Sequence, residues 1–186
     1  TLVAGGVMHE GLISTTLGLR GIPGEAESVL IGRDLALAEL TGGWIHFAHL
    51  SSAKSVDLIR DAKRRGLRVT CEVTPHHLAL THEAVGDFDT AAKVNPPLRT
   101  EADRQALIEG LRDGAIDCIA TDHAPHTAWE KDADFDSAPF GISGLETALA
   151  VCADTLVKPG LLTWSQLITA MAVAPARVAG AEAGSL

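Results

Sequence analysis

Short apolar runs alternate with longer segments of helical period along most of this chain, and that alternation narrows the fold more than any other feature. Residues 44–49, 68–73, 92–95 and 117–121 carry β-branched or apolar side chains and stop at polar or Pro-containing sequence, as strands do. Between them lie helical patterns. Residues 25–40 are rich in Leu and Ala and are stopped by Gly42-Gly43. Residues 53–65 place Val56, Ile59 and Ala62 on one face ahead of Gly66, and residues 101–112 carry Leu107, Ile108 and Leu111 ahead of Gly114. Further on, Ser143-Gly144-Leu145-Glu146 reads as a capping box opening a helix with Leu145, Leu149, Cys152 and Leu156 on one face. Thr163-Trp164-Ser165-Gln166 is placed to open another.

Strand and helix joined by short connections imply parallel pairing in an α/β architecture. A doubly wound sheet is one arrangement of that kind, but its glycine-rich phosphate turn is absent. Polar and charged residues follow several different strands, which favours a parallel β/α barrel. A complete barrel takes eight strands and about 250 residues, so four strands amount to about half of one.

The most chemically loaded stretch is Ile119-Ala120-Thr121-Asp122-His123-Ala124-Pro125-His126, an apolar run ending in an acid and two histidines. In a parallel barrel the side chains just past the carboxyl ends of strands face the reaction pocket. A carboxylate there can hold a metal ion, move a proton, or do both in turn. Alone, the string fits a turn-capping Asp with solvated histidines better than a reactive site, and it is the upstream counterpart that reverses this. Its upstream counterpart is Trp44-Ile45-His46-Phe47-Ala48-His49-Leu50-Ser51-Ser52. Strand side chains alternate between faces, so His46 and His49 are not expected to share one. His49, nearer the strand end, is the better metal-ligand candidate, and His46 is expected to pack beneath the helices on a backbone partner.

Thr74-Pro75-His76-His77 follows the second strand, where the histidines either line the pocket or cap the proline turn; capping is the preferred reading. After the third, Pro96 and Pro97 fix the exit path and hold Asn95 at the strand end. Its amide offers donor and acceptor to a polar substrate, the alternative being a simple Asn turn. His9, His82 and the acids of residues 130–136 read as solvated surface. The polar loop 127–138 is long enough to close over a substrate.

Composition removes several functions. The net charge of −9 and the lack of a Lys/Arg stripe exclude nucleic acid as an expected partner, the one basic knot, Lys63-Arg64-Arg65, sitting where cations offset a helix dipole. No apolar run approaches transmembrane length, so no membrane role is expected. Cys71, Cys118 and Cys152 are odd in number and widely spaced, which suits reduced core residues of a cytoplasmic protein.

Taken in order, Gly21-Ile22-Pro23 with Ala26-Glu27, His46-Phe47-Ala48-His49-Leu50-Ser51, Glu72-Val73-Thr74-Pro75-His76-His77-Leu78, Asn95-Pro96-Pro97-Leu98-Arg99, Ala120-Thr121-Asp122-His123-Ala124-Pro125-His126 and Pro139-Phe140-Gly141 resemble the dihydroorotases of the amidohydrolase superfamily. The resemblance spans nearly the whole chain. It implies a portion of a TIM-type (β/α)8 metal-dependent hydrolase barrel. It also implies reversible, zinc-dependent cyclisation of N-carbamoyl-L-aspartate to (S)-dihydroorotate plus water, a step of de novo pyrimidine biosynthesis in the cytoplasm. By resemblance His49 is a zinc ligand, Asp122 is both ligand and catalytic acid/base, and two zinc ions are expected in the complete protein. Asn95, His126 and the backbone of Phe140 and Gly141 are expected to hold the substrate.

The chain departs from the family pattern in lacking the His-x-His pair of the first strand, a bridging acid or modified lysine, and one further metal-binding His. Residues 1–186 are therefore expected to be a partial barrel domain, cut at both ends and inactive alone. Other cyclic amidohydrolases, hydantoinase-like or allantoinase-like, are the nearest alternatives. A non-catalytic dihydroorotase-like barrel partnering a transcarbamoylase is a second, and a homo-oligomer is a further expected assembly.

Overall fold

Three parallel strands run side by side in the order in which the chain makes them, and the helices between them fall on one side. The computed structural model describes residues 3–182. A first parallel pair joins β1 (Met8–His9) to β2 (Gly21–Ile22), with α1 (Leu12–Leu17) between them. Then come α2 (Glu25–Thr41), β3 (Ile45–Phe47), α3 (Ala53–Arg64), β4 (Val69–Val73), α4 (Pro75–Ala79), α5 (Glu101–Asp113) and β5 (Cys118–Ile119). β4 is the centre of a three-stranded parallel sheet ordered β3-β4-β5, with His46 opposite Thr70 and Val73 opposite Ile119. Beyond β5 lie α6 (Ala128–Lys131), α7 (Ala148–Cys152), α8 (Trp164–Ile168) and α9 (Ala174–Ala179), with wider π turns at Ala153–Val157 and Thr169–Val173.

Alternation along β4 separates two faces. Val69, Cys71 and Val73 are buried and join Val56 and Ile59 of α3, Leu107 and Ile108 of α5, and Ile31 and Leu35 of α2 in one core. Each such fully buried aliphatic side chain contributes about 1.5–3 kcal/mol. Thr70 and Glu72 point to the other face. Consecutive strand order with α3 and α5 packed on the same face is barrel winding; a doubly wound sheet reverses and carries helices on both faces. Local chemistry fixes these helices. The Ser52 hydroxyl caps α3 through the Ser55 amide, and Thr100 and Asp103 form a capping box on α5. Asp103 also accepts from the Ala53 amide at 2.9 Å, tying the two helix starts together.

Two expectations from the sequence are corrected, and one strand pair is added. Residues 92–95 form no strand; a 3-10 turn at Thr90–Ala92 leads into an irregular segment with a cis Asn95–Pro96 peptide. Its apolar residues, Ala92, Val94 and Leu98, are buried in a second core with Val7, Met8, Val85 and Phe135, so burial alone imitated a strand. The helix placed after Ser143 starts only at Ala148, because Gly144 and Leu145 donate their amides to His123 Nδ1 at 3.2 Å instead of entering a helix. The pair β1–β2 escaped notice because two-residue strands leave too little alternation to read. By contrast, α8 opens at the Thr163–Gln166 capping box, and α2, α3 and α5 lie within one residue of their expected bounds. All three cysteines are free and buried, and burial lifts the thiols to about 12 at Cys71 and Cys118 and about 11 at Cys152. Among the described residues no helix is long and apolar enough to cross a membrane.

Candidate active site

β3 and β5 flank β4, and the chain takes the same unusual turn just past each of them. His49, two residues after β3, has φ 39°, and Asp122, three residues after β5, has φ 44°. The left-handed region disfavours side chains other than glycine, and such strain collects at functional positions. Leaving the strand at Phe47 also releases His49 from strand alternation, so its spacing to His46 does not decide the face it takes. His46 does not pack beneath the helices. Ile45 and Phe47 take that face, and His46 meets the side chains of β4, Nδ1 at 2.9 Å from Thr70 Oγ1 and Nε2 at 3.2 Å from Glu72 Oε2. The expected backbone partner is thus replaced by two side chains on the axial face.

Between the two strained turns, Thr74-Pro75 starts α4 with its histidines buried. His77 is a structural bridge. Its Nε2–H donates to the Pro96 carbonyl at 3.0 Å and its Nδ1 accepts from Thr74 Oγ1 at 2.7 Å, which fastens the Asn95 segment to the end of β4. Burial drives its pKa well below the ordinary 6.5. His76 differs: only 6% of it is exposed and its Nε2 is buried without a protein partner. Burial lowers its pKa to about 4, partly opposed by the nearby Asp122 carboxylate and reinforced by the His49 ring.

A cavity of about 230 Å³ adjoins His49 and is lined also by Asn95, Pro96, Pro97, Arg99 and Glu27. Its floor is polar and fully engaged. Glu27 accepts from the amides of Ser51 and Ser52 at 3.1–3.2 Å and from the Ser51 hydroxyl. Arg99, 3% exposed, donates Nε–H to Ser51 Oγ at 3.0 Å and reaches the Ile22 carbonyl and His9 Nδ1. His9 is therefore no solvated surface residue; burial, then the Arg99 charge, lower it to about 4. His82 packs edge-on against it at 5.1 Å. Glu27, Ser51 and Arg99 sat inside recognisable strings, but spacing carried no sign that they would meet. A larger cavity of about 580 Å³ lies around Trp44, Thr70 and Asp117, where the acid is already paired with Lys63 at 2.7 Å.

The remaining expected residues form a second group. His126 Nε2–H donates to the Phe140 carbonyl at 3.0 Å. Gly141, at φ 146°, lies so near Ala124 that an added Cβ would sit 2.6 Å from its carbonyl oxygen, so only glycine fits. Its amide donates to the Lys93 carbonyl at 2.9 Å, two residues before Asn95. His126, Phe140 and Gly141 are thus joined to one another and, through Lys93, to Asn95.

Donor chemistry of this kind, an imidazole and a carboxylate past the two strands that flank β4, with an unpartnered buried imidazole nitrogen after β4 itself, suits a divalent cation. It supplies only part of a coordination shell: among the described residues no three His, Cys, Asp or Glu side chains come close enough to enclose a metal ion.

No family model matches the chain. It is 58% identical over 185 residues to a dihydroorotase of Pelotomaculum thermopropionicum and 55% identical over 185 residues to one of Acetivibrio thermocellus, each alignment covering all of this chain and 43% of the relative. The chain thus spans about two-fifths of the length of the curated relatives it matches. Among solved structures, an L-hydantoinase (dihydropyrimidinase) from Arthrobacter aurescens superimposes with a TM-score of 0.80 at 32% identity, over 86% of this chain and 37% of that one. The dihydropyrimidinase of Brevibacillus agri gives 0.72 at 29% identity, over 78% of this chain and 33% of that one. Its relatives are metal-dependent hydrolases of cyclic amides as a class. Sequence and fold together place this chain with the dihydroorotases of the amidohydrolase superfamily, as the counterpart of their C-terminal part.

Proposed function

We propose that the complete protein carrying this chain is a dihydroorotase that interconverts N-carbamoyl-L-aspartate and dihydroorotate in the cytoplasm, with His49 and Asp122 among the ligands of zinc. The observation that supports it most is the matched pair of strained turns, φ 39° and 44°, that carry an imidazole and a carboxylate just past β3 and β5, on either side of the strand after which His76 Nε2 is buried without a partner. When bound, zinc supplies Lewis-acid polarisation of the scissile carbonyl.

The protein's own groups do the rest. In ring opening the Asp122 carboxylate takes a proton from the attacking water as the carbon–oxygen bond forms. It returns that proton to the ring nitrogen as the carbon–nitrogen bond breaks. In ring closure the proton travels the other way. Asn95 offers its amide from the wall of the His49 cavity. His126 and the Phe140–Gly141 backbone, held together by the His126–Phe140 and Gly141–Lys93 hydrogen bonds, form the wall on the substrate's anionic side in this reading.

Identity of 54–58% to dihydroorotases, against about 30% to the hydantoinases that share the fold, favours dihydroorotate over hydantoin. A panel of dihydroorotate, hydantoin and allantoin offered to the complete protein tests this. Ring opening of dihydroorotate at a kcat/KM at least a hundredfold above the other two is expected. Preference for either competitor overturns the assignment.

A further inference from the structure

The ammonium of Lys93 is buried, yet among the described residues it forms no ion pair. Lys93 is 2% exposed, and its Nζ donates to three carbonyls of one loop: Phe135 at 2.6 Å, Asp136 at 3.2 Å and Ala138 at 2.7 Å. An ammonium has three protons, so its donor capacity is used up. Nζ also lies 4.6 Å from the Phe140 ring centroid and 5.5 Å from that of Phe135, within range of a cation–π contact. The loop answers with a lysine of its own. Lys131 Nζ donates to the carbonyls of Thr90 at 3.0 Å and Pro139 at 2.9 Å and reaches that of Lys93 at 3.4 Å. The Thr90 hydroxyl donates to the Lys131 carbonyl, and the Gly141 amide to the Lys93 carbonyl at 2.9 Å.

Taking an ammonium out of water costs several kcal/mol, and a methionine would fill the same volume without that cost. What the charge adds is geometry. It draws three carbonyls of residues 135–138 onto one point, two residues from Asn95. Lys131 draws carbonyls of the opposite segment, and of Pro139, onto a second. The bonds run both ways across one seam. On one side is the segment carrying Asn95; on the other is the segment carrying Phe140 and Gly141. These bonds tie residues 135–139 to the segment that carries Asn95.

We propose that Lys93 and Lys131 form a reciprocal clamp that sets the spacing between Asn95 and the Phe140–Gly141 backbone, and so act as positioning residues for substrate recognition. This rests on the proposed dihydroorotase reading for the identity of the substrate; the clamp itself is read out separately.

The experiment uses the complete protein and its Lys93→Met, Lys131→Met and Lys131→Arg variants. Each is assayed for dihydroorotate ring opening, zinc content and amide hydrogen exchange in peptides covering residues 133–142. Lys93→Met is expected to raise KM at least tenfold with kcat within threefold and zinc unchanged, and to speed exchange in those peptides at least tenfold. Lys131→Met is expected to raise KM about fivefold, and Lys131→Arg to restore it. Half-exposed Lys131 carries the test if Lys93→Met fails to fold. Unaltered exchange, or faster exchange with KM unmoved, overturns the clamp, as does a joint loss of kcat and zinc at constant KM. A wild-type protein that leaves dihydroorotate intact refutes the activity instead, and exchange still decides whether the clamp exists.

Discussion

His49 and Asp122 hold the same left-handed backbone, φ 39° and 44°, at the ends of the two strands that flank β4. Two like distortions just past the strands on either side of β4 mark where an imidazole and a carboxylate leave their strands, and strain of this kind collects at functional positions. Left-handed backbone costs a non-glycine residue about 1–2 kcal/mol.

That cost predicts a measurable split between stability and activity. His49→Gly and His49→Ala both remove the imidazole, but only glycine relaxes the turn. Denaturant unfolding of the metal-stripped complete protein is expected to find His49→Gly more stable than His49→Ala by about 1 kcal/mol, with both inactive. Alanine as the more stable of the two would remove strain from the account.

Asp122→Asn keeps the shape and loses the proton carrier. Positioned acid–base groups contribute about 10²–10⁴ in rate, so turnover is expected to fall by that factor or more. Binding of dihydroorotate, measured by calorimetry, is expected to stay within tenfold. Wild-type turnover in this variant contradicts the proton-transfer role.

Gly141→Ala places a methyl 2.6 Å from the Ala124 carbonyl oxygen at a φ that side chains avoid. The strand-like contact of His123 with Ile142 and the Ala124 amide bond to Ile142, 3.1 Å, leave that carbonyl little room to move. The Phe140–Gly141 segment must shift instead, and KM for dihydroorotate is expected to rise about tenfold in steady-state assays. An unchanged KM would mean that the segment does not contact substrate.

Acid should weaken the fold through its buried imidazoles. His9 is lowered from 6.5 to about 4, and His77 well below 6.5, both first by burial. Between 6.5 and 4 the unfolded chain therefore binds protons that the folded one refuses, so stability is full above 6.5 and drops as pH falls through that window. One proton sets a ceiling of about 1.4 kcal/mol per pH unit for each ring, less for half-exposed His9. Unfolding midpoints from pH 8 to pH 4 are expected to decline below 6.5 and to decline less steeply in His9→Gln. A flat profile would show that these rings take up protons without cost.

The sequence carried its long-period information faithfully. α3 and α5 were legible because twelve and thirteen residues repeat an apolar face ahead of a glycine, and α2 because seventeen residues rich in Leu and Ala run up to Gly42. Residues 92–95 misled because a second core, not a sheet, buries Val94 and Leu98. His46 was turned the wrong way because the alternation rule was carried from His49 back into a strand that His49 does not belong to. The individual site positions were nameable from their strings, but the seams between them were not. Arg99 on Ser51, His77 on Pro96 and Lys93 on Phe135 join residues 48, 19 and 42 positions apart, and no local pattern encodes such pairs.

The most direct test of the central claim is zinc content measured on the complete protein beside its His49→Ala and Asp122→Ala variants, after equal exposure to a chelator and to limiting zinc. Zinc in the wild type, with at least half of it lost from each variant together with ring-opening activity, is the predicted result. Full zinc retention in both variants would mean that this imidazole and this carboxylate do not hold the metal, and would contradict the account.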